Sequence, residues 1–449
     1  MDYQEAWQFL DDLQFFKIKL GLESMNAFLD DLGHPQRECR FIHVAGTNGK
    51  GSVSATLLAV LARAGYRVGL YTSPHLSSVR ERFRINDTFI PEAEFAILAT
   101  EIRAILAGRQ ITYFEFTTAL AMLWFARREV DVAILEVGMG GRLDATNVVQ
   151  PLVSVITNVS MDHEAYLGNT LTAVAFEKAG VIKPGVPVIS GVADDASRTV
   201  VAAACEDRGA EFLLLGRDFF GDAEGADTWT YRGMGEQMDK LGGLPCRLGG
   251  RHQVMNSALA VATLEAVADS LPVGEEALRE GLAAVRWPGR MEYFCLHRTS
   301  RELAPCPAES EAMGEGDAEL RRYLLDGAHN PAGVAALREA LADAFPHDRL
   351  TLVWASMADK EVAPMLAAMA PLAHRIIFTR PESERSATPE ALLALLDEEG
   401  RQRAGCAATV AEALALAEAA ATPADLIVVA GSLYLIGAAR KLLRGEVAG

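Results

Sequence analysis

Residues 41–52 read Phe41-Ile42-His43-Val44-Ala45-Gly46-Thr47-Asn48-Gly49-Lys50-Gly51-Ser52. A short apolar run enters a glycine-rich turn, and a lysine and a serine follow. Beyond them Val53, Leu57, Leu58 and Leu61 recur at helical spacing. The pattern predicts a strand over 41–45 and a helix over about 51–64. Such a strand–turn–helix unit is a phosphate cradle. Glycines let backbone N–H groups point inward, the helix N-terminus adds partial positive charge, and Lys50 neutralises phosphate oxygens. Ser52 is spaced to reach a metal or a phosphate. Two positions depart from the general GxxxxGK[ST] pattern: Val44 replaces its first glycine, and Gly51 separates Lys50 from Ser52.

Working outward, further strands are expected over 67–71, 132–135 and 152–157, with helices near 92–107 and 116–128. The short strands are apolar without polar alternation, which fits a parallel sheet covered on both faces. Strands alternating with helices give an α/β class. The strand ends deliver Thr72-Ser73-Pro74-His75, Glu136, and Asn158 leading to Asp162-His163. Ligands of open α/β sheets bind outside the carboxyl ends of the strands. If the strands are parallel, these residues meet the phosphate loop at one edge. Glu136 ends its strand as the acidic metal ligand of a nucleotide-binding sheet does. Ser73 adds a hydroxyl and His163 an imidazole. Mg²⁺ prefers oxygen ligands, so His163 equally suits the task of orienting a metal-bound water. Each of these residues, read alone, also suits a cap or a turn.

Residues 216–250 read as irregular, and helices are expected near 255–268 and 275–284. Trp287-Pro288-Gly289-Arg290 then breaks the pattern. A second alternation follows, with strands near 291–296, 323–325, 350–355, 375–379 and 426–430 and a helix over 331–342. Two domains are expected, 1–290 and 291–449. The Pro-, Gly- and Glu-rich stretch 304–318 reads as a solvated loop insertion.

There are 42 basic and 60 acidic side chains, for a net charge of −18. That balance argues against nucleic-acid binding, which needs a basic surface. Anionic substrates would then need positive charge supplied locally. The six cysteines are scattered with no CxxC pair, and read as isolated reduced thiols of a reducing compartment. The uncharged run 426–439 is shorter than the roughly 18 residues of a membrane span. Residues 1–5 carry neither a basic region nor an apolar core, so no signal peptide is expected. A soluble, cytoplasmic protein without a membrane partner is expected.

The motifs resemble those of the folylpolyglutamate and dihydrofolate synthases, a branch of the Mur ligase superfamily. The resemblance rests on residues 46–52, Ser73-Pro74-His75-Leu76, the long run Leu135-Glu136-Val137-Gly138-Met139-Gly140-Gly141-Arg142-Leu143-Asp144-Ala145-Thr146-Asn147, and Asp162-His163. It continues through Glu177-Lys178-Ala179-Gly180, Pro288-Gly289-Arg290 and Asp326-Gly327-Ala328-His329-Asn330-Pro331, in family order. Gly51 favours this folate branch over the cell-wall ligases. The resemblance implies a central P-loop ATPase domain and a smaller, Rossmann-like C-terminal α/β domain.

It also implies roles. Thr47, Asn48, Gly49, Lys50, Gly51 and Ser52 would hold ATP phosphates, helped by Asn256, Arg290 and Asp326. Ser73, Glu136 and His163 would bind Mg²⁺. Lys178 aligns with a lysine carboxylated in this family, whose carbamate would favour a second Mg²⁺. Unmodified, Lys178 reads as a helix-surface lysine, and Asn256 as a helix cap or first-turn residue. His329 would meet phosphate, and Asn330-Pro331 also suits the start of a helix. The pteroate end would involve residues 20–25, with Glu23, Ser24 and Met25, then Thr112, Tyr113, Phe114 and Glu115, and Leu143, Asp144 and Ala145. Tyr113 and Phe114 are equally at home in a core. Ser432 falls near the implied glutamate site.

The implied reaction is ATP-dependent addition of L-glutamate to folate through an acyl phosphate, in a monomer, with dihydropteroate left open as a further acceptor. Lys50, His163, Lys178 and His329 are its candidate catalytic residues. Two competing readings are a ligase for UDP-muramyl peptides and a P-loop ATPase that switches a protein partner. Only about 45 residues precede the loop, which speaks against a separate UDP-binding domain. The ATPase reading leaves the Asp326–Asn330 motif without a task.

Overall fold

A computed structural model describes residues 1–13, 21–225, 227–235, 240–306, 319–358, 360–382 and 385–445. The chain forms two compact units. The first takes residues 1–247 with 253–286, the second 248–252 with the chain from 287 onward.

Among the described residues, eight strands form the main sheet of the first unit. They are β1 (Phe41–Ala45), β2 (Val68–Tyr71), β3 (Phe83–Ile85), β4 (Thr88–Phe89), β5 (Val132–Glu136), β6 (Val153–Ile156), β7 (Val188–Ser190) and β8 (Phe212–Leu214), in the order β4-β3-β2-β5-β1-β6-β7-β8. The pairs from β2 to β8 are parallel, and β3 and β4 add an antiparallel edge. All residues of β1, β2, β5 and β6 are buried. Their mostly apolar character, interrupted by His43 in β1 and Ser154 in β6, follows from cover on both faces. Because β2, β5, β1 and β6 are parallel neighbours, their carboxyl ends share one edge.

The helices begin where side chains can take up free first-turn amides. Asp2 caps Tyr3–Asp12 and Thr112 caps Tyr113–Arg127, each with a reciprocal glutamate, Glu5 and Glu115. In the second unit Asn330 caps Pro331–Asp343.

Residues 216–250 are not irregular. They contain a three-stranded antiparallel sheet, β9 (Phe220–Ala223), β10 (Thr228–Arg232) and β11 (Lys240–Pro245), in the order β11-β10-β9. The outer strands are rich in Gly and Asp, so their side chains carry little strand signal. The backbone ladder holds them, with Trp229 and Tyr231 of β10 wholly buried. Glu265 accepts from the Tyr231 hydroxyl at 2.8 Å and from the amides of Met234 and Gly235.

The second unit's sheet comprises β12 (Glu292–His297), β13 (Leu303–Ala304), β14 (Leu320–Asp326), β15 (Leu350–Trp354), β16 (Arg375–Phe378), β17 (Ala404–Cys406) and β18 (Leu426–Ala430). The order is β13-β12-β14-β18-β15-β16-β17, parallel from β14 to β17 with β12 and β13 antiparallel. Not every cysteine is an isolated thiol. Cys295 is bonded to Cys306, with Cα atoms 5.3 Å apart. Cys295 lies opposite Ala304 across the β12–β13 ladder, and the alternation of side chains returns Cys306 to the same face. Most of the expected insertion 304–318, residues 307–318, lies outside the described residues, as does Leu20.

Candidate active site

The loop after β1 is tied to the exit of β6. The amide of Thr47 donates to Asn158 O, that of Asn48 to Asn158 Oδ1, and the Thr47 hydroxyl to Ser160 O at 3.0 Å. Thr157 Oγ1 donates to Asn48 O at 2.6 Å. Gly49 has φ +83°, and a Cβ there would lie 2.4 Å from Asn256 Oδ1. Only glycine fits both the backbone and the contact. Asn256 is buried in the second turn of the helix Arg251–Ala266 and donates to Gln253 Oε1 at 2.9 Å. It is therefore neither a cap nor a first-turn residue. The helix Lys50–Arg63 starts at Gly49 with no side-chain cap, and the N-terminus of a helix favours an anion. Lys50 Nζ donates to the carbonyls of Gly46 and Thr47, each at 3.0 Å, and Ser52 is buried.

Next along the edge, the buried Glu136 accepts from the amide of Ser73 at 3.2 Å. His163 stands exposed with φ +52° before the short helix Glu164–Leu167. Among the described residues no three His, Cys, Asp or Glu side chains gather as a metal cage. Mg²⁺ needs none: it keeps waters and takes one or two carboxylates plus phosphate oxygens. The carboxylate of Glu136 and the hydroxyl residue Ser73 beside it fit that donor set.

Lys178 is not a surface residue. It is 3 % exposed, near the end of the helix Leu171–Ala179. Burial, joined by the charge of Lys50 and opposed by Asp162 and Asp144, pushes its amine down to about 7.

The three segments expected at the pteroate end are neighbours. The helix Glu23–Asp31 packs against both Tyr113–Arg127 and the turn Ala145–Val148. Their side chains differ in availability. Met25 and Ala145 belong to the core cluster that includes Phe28 and Phe116, so their side chains serve packing. Glu23 is exposed, and Ser24 and Leu143 are half-buried. Thr112 and Glu115 bind each other in the capping box, with Oε1 of Glu115 buried and free of any partner among the described residues. Phe114 lies 5.8 Å from the ring of Tyr71. Asp144 is buried, with both oxygens taken by loop donors.

Sequence reasoning passed over Arg82, which carries no motif signal of its own. It is 7 % exposed, lies over the ring of Tyr113 at 5.1 Å, and donates from Nε to His75 Nδ1 at 2.9 Å. Burial and this cation push His75 down to about 3, so its imidazole is neutral. Arg82 makes no ion pair among the described residues.

Within the second unit, β14 and β18 are parallel neighbours, with Asp326 opposite Ala430. Asp326 is buried and accepts from the amides of Met291 and Ala328 at 2.9 Å each. Burial raises its carboxyl above the usual range, against the pull of Arg290 and His252. Arg290 Nη1 packs so closely on Gly327 that a Cβ there would sit 2.0 Å away. His329 Nδ1 is 2.7 Å from Gly327 O, and the amide of Gly431 donates to Ala328 O at 3.0 Å. Ser432 is buried and caps Leu433–Arg444. Arg290, Asp326, His329 and Ser432 thus share the carboxyl edge of this sheet.

Residues 44–264 match the Mur ligase middle domain, and residues 311–433 match the Mur ligase glutamate ligase domain. The folylpolyglutamate synthase of Lacticaseibacillus casei is 36 % identical over 429 residues, covering 93 % of each chain. The chain belongs to the folylpolyglutamate and dihydrofolate synthase family of Mur ligases. A probable bifunctional folylpolyglutamate synthase/dihydropteroate synthase of Haloferax volcanii is 34 % identical over 98 % of this chain, which spans 50 % of that relative. The fold agrees with the structure of E. coli FolC in complex with DHPP and ADP, at a TM-score of 0.85 and 31 % identity over 99 % of this chain and 98 % of that one. No helix among the described residues is long and apolar enough to cross a membrane.

Proposed function

We propose that the chain is an ATP-dependent ligase that joins L-glutamate to a folate through an acyl phosphate. The observation that carries the reading is the phosphate loop beside the buried Glu136 and its hydrogen bond from the half-buried Ser73, on adjacent parallel strands of a chain of this family. In this reading the amides of Lys50, Gly51 and Ser52, with the Lys50 ammonium, hold the ATP phosphates. Thr47, Asn48 and Asn256 keep the loop in shape. Glu136 and Ser73 would hold Mg²⁺, with His163 as a further ligand, and the ion would supply positive charge among the phosphate oxygens. Lys178 is proposed to carry a carbamate for a second Mg²⁺. Arg290, Asp326 and His329 are assigned to nucleotide and phosphate, and Ser432 to L-glutamate.

The acceptor lies along residues 23–25, 112–115 and 143–145. The buried guanidinium of Arg82 suits one of its carboxylates, since a buried cation is stabilised by a paired anion. An oxygen of the reacting carboxylate attacks the γ-phosphorus and ADP leaves. The glutamate amine then attacks the acyl carbon, phosphate leaves, and the amine loses a proton. The protein's part is to hold two anions together, neutralise their repulsion and keep water from the acyl phosphate. We assign the protein to the cytoplasm, as a monomer. Dihydropteroate is a second proposed acceptor. No observation favours a cell-wall substrate or a switch ATPase.

The test is ATP-dependent incorporation of labelled L-glutamate, run with tetrahydrofolate and with dihydropteroate. Lys50→Ala and Glu136→Ala are expected to lower kcat at least roughly 100-fold, and Ser24→Ala far less. No incorporation with either acceptor sinks the reading, and equal losses in the three variants sink the residue assignment.

A further inference from the structure

Behind the carboxyl edge of the first unit runs a chain of buried hydrogen bonds that starts at His43 and Thr146, to which the proposed reaction gives no part, and ends at Asp144 in the proposed acceptor segment. His43, in the middle of β1, is wholly buried. Its Nε2 lies 2.8 Å from Thr146 Oγ1. The Thr146 hydroxyl donates to Asp144 Oδ1 at 2.5 Å, and the Thr146 amide reaches the same oxygen at 3.0 Å. Asp144 Oδ2 accepts the amides of Gly138 and Met139, each at 3.0 Å.

Proton counting gives the chain a direction. Asp144 faces three amides and a hydroxyl, so it acts as the acceptor. Thr146 has one hydroxyl proton, and Asp144 takes it. The proton between His43 and Thr146 must then sit on Nε2. Burial, reinforced by Lys183, pushes the imidazole down to about 3, so it is neutral with Nδ1 unprotonated. That Nδ1 is buried and has no partner among the described residues. A buried polar atom without a partner is costly. The bond that His43 donates is what offsets an imidazole at the centre of a covered strand.

The loop at the end of this chain is wedged on two sides. A Cβ at Gly138 would meet Phe114 Cζ at 2.5 Å. One at Gly141 would come within 3.0 Å of the carbonyl oxygens of Glu177 and Lys178. The loop's position therefore sets the place of Phe114 and of the helical turn that carries Lys178.

We propose that His43, Thr146 and Asp144 act as one positioning relay that fixes loop 138–141 against the acceptor-binding end of the site. The kinetic part of this inference rests on the ligase reading, and the structural part does not. Two pairs of variants test it. Thr146→Val and His43→Leu remove a donor, whereas Thr146→Ser and His43→Gln keep one. The first pair is expected to raise the acceptor KM about five-fold or more while the ATP KM stays within about two-fold. The second pair is expected to restore wild-type behaviour. Joining His43→Leu to Thr146→Val is expected to add nothing, because the two residues act in series. Amide hydrogen exchange at Gly138 and Met139 reads the relay without any substrate, and should quicken in the first pair alone.

Unaltered exchange in both donor-less variants overturns the relay, whatever the turnover. An ATP KM that rises in step with the acceptor KM also overturns it. So does unfolding of both variants, since a relay confined to one loop leaves the fold intact. Altered exchange in an enzyme whose wild type incorporates no glutamate overturns the ligase reading alone.

Discussion

At the residue scale, Lys178 shows how burial changes a reading. On a surface its amine would be a cation at every physiological pH. At 3 % exposure, beside Lys50, it is pushed from 10.5 down to about 7. Only the neutral amine has a lone pair to give to carbon dioxide. In the carbamate proposed for Lys178, the nitrogen would bond to the carbon and lose a proton, leaving two acceptor oxygens. Below the depressed value the amine is protonated and unreactive, and above it the amine is free. With isotope-labelled bicarbonate, a carbamate carbon signal is expected at about pH 8 and should shrink at about pH 6. It should be absent from Lys178→Met. A signal of equal size in that variant would refute the assignment. The lysine itself was legible in the Glu177-Lys178-Ala179-Gly180 motif, but its burial was not, because helical spacing alone leaves Lys178 on either face. Arg82 and His43 were illegible for the same reason. Each owes its character to partners that only folding brings close, Tyr113 and the nearer His75 for Arg82 and the distant Thr146 for His43.

At the element scale, the first turn of Tyr113–Arg127 combines two tasks. Thr112 and Glu115 close the helix start, while Tyr113 and Phe114 project from that same turn. The cap supplies partners for amides that have none inside the helix. Thr112→Ala should therefore lower stability by about 1 kcal/mol, measured by urea unfolding. If the proposed acceptor pocket is built on this turn, the acceptor KM should rise as well. An unchanged stability would mean that the box is not formed in solution. Strands behaved differently from helix starts. β1, β5 and β6 were readable because burial on both faces makes them mostly apolar. β9 and β11 were not, because their pairing is made by backbone groups that every residue carries.

At the scale of the whole molecule, a net charge of −18 accompanies proposed substrates that are themselves anions. Cationic groups are correspondingly local: Lys50 and the helix start in the first unit, Arg290 in the second. A ligand that binds only the folded chain stabilises it by mass action, by about 2.7 kcal/mol at a hundredfold excess over Kd. Mg-ATP should therefore raise the unfolding temperature of the wild type. Lys50→Ala should abolish most of the rise without lowering the temperature found in the absence of nucleotide. An equal rise in both proteins would show that the nucleotide binds elsewhere.

The sequence by itself determined the phosphate loop, the α/β alternation and the family. These reside in local spacing: glycines where the backbone must turn, apolar runs where strands are covered, and motifs contiguous in the chain. Tertiary structure alone decided that β2, β5, β1 and β6 are parallel neighbours, which turns separate strand ends into one edge. It also decided that Asn256 closes on Gly49, that Cys295 meets Cys306, and that Met25 serves the core. The physical reason is common to all of these. Burial, proton sharing and close approach are properties of pairs, and the pairs form only when strand order brings distant residues together.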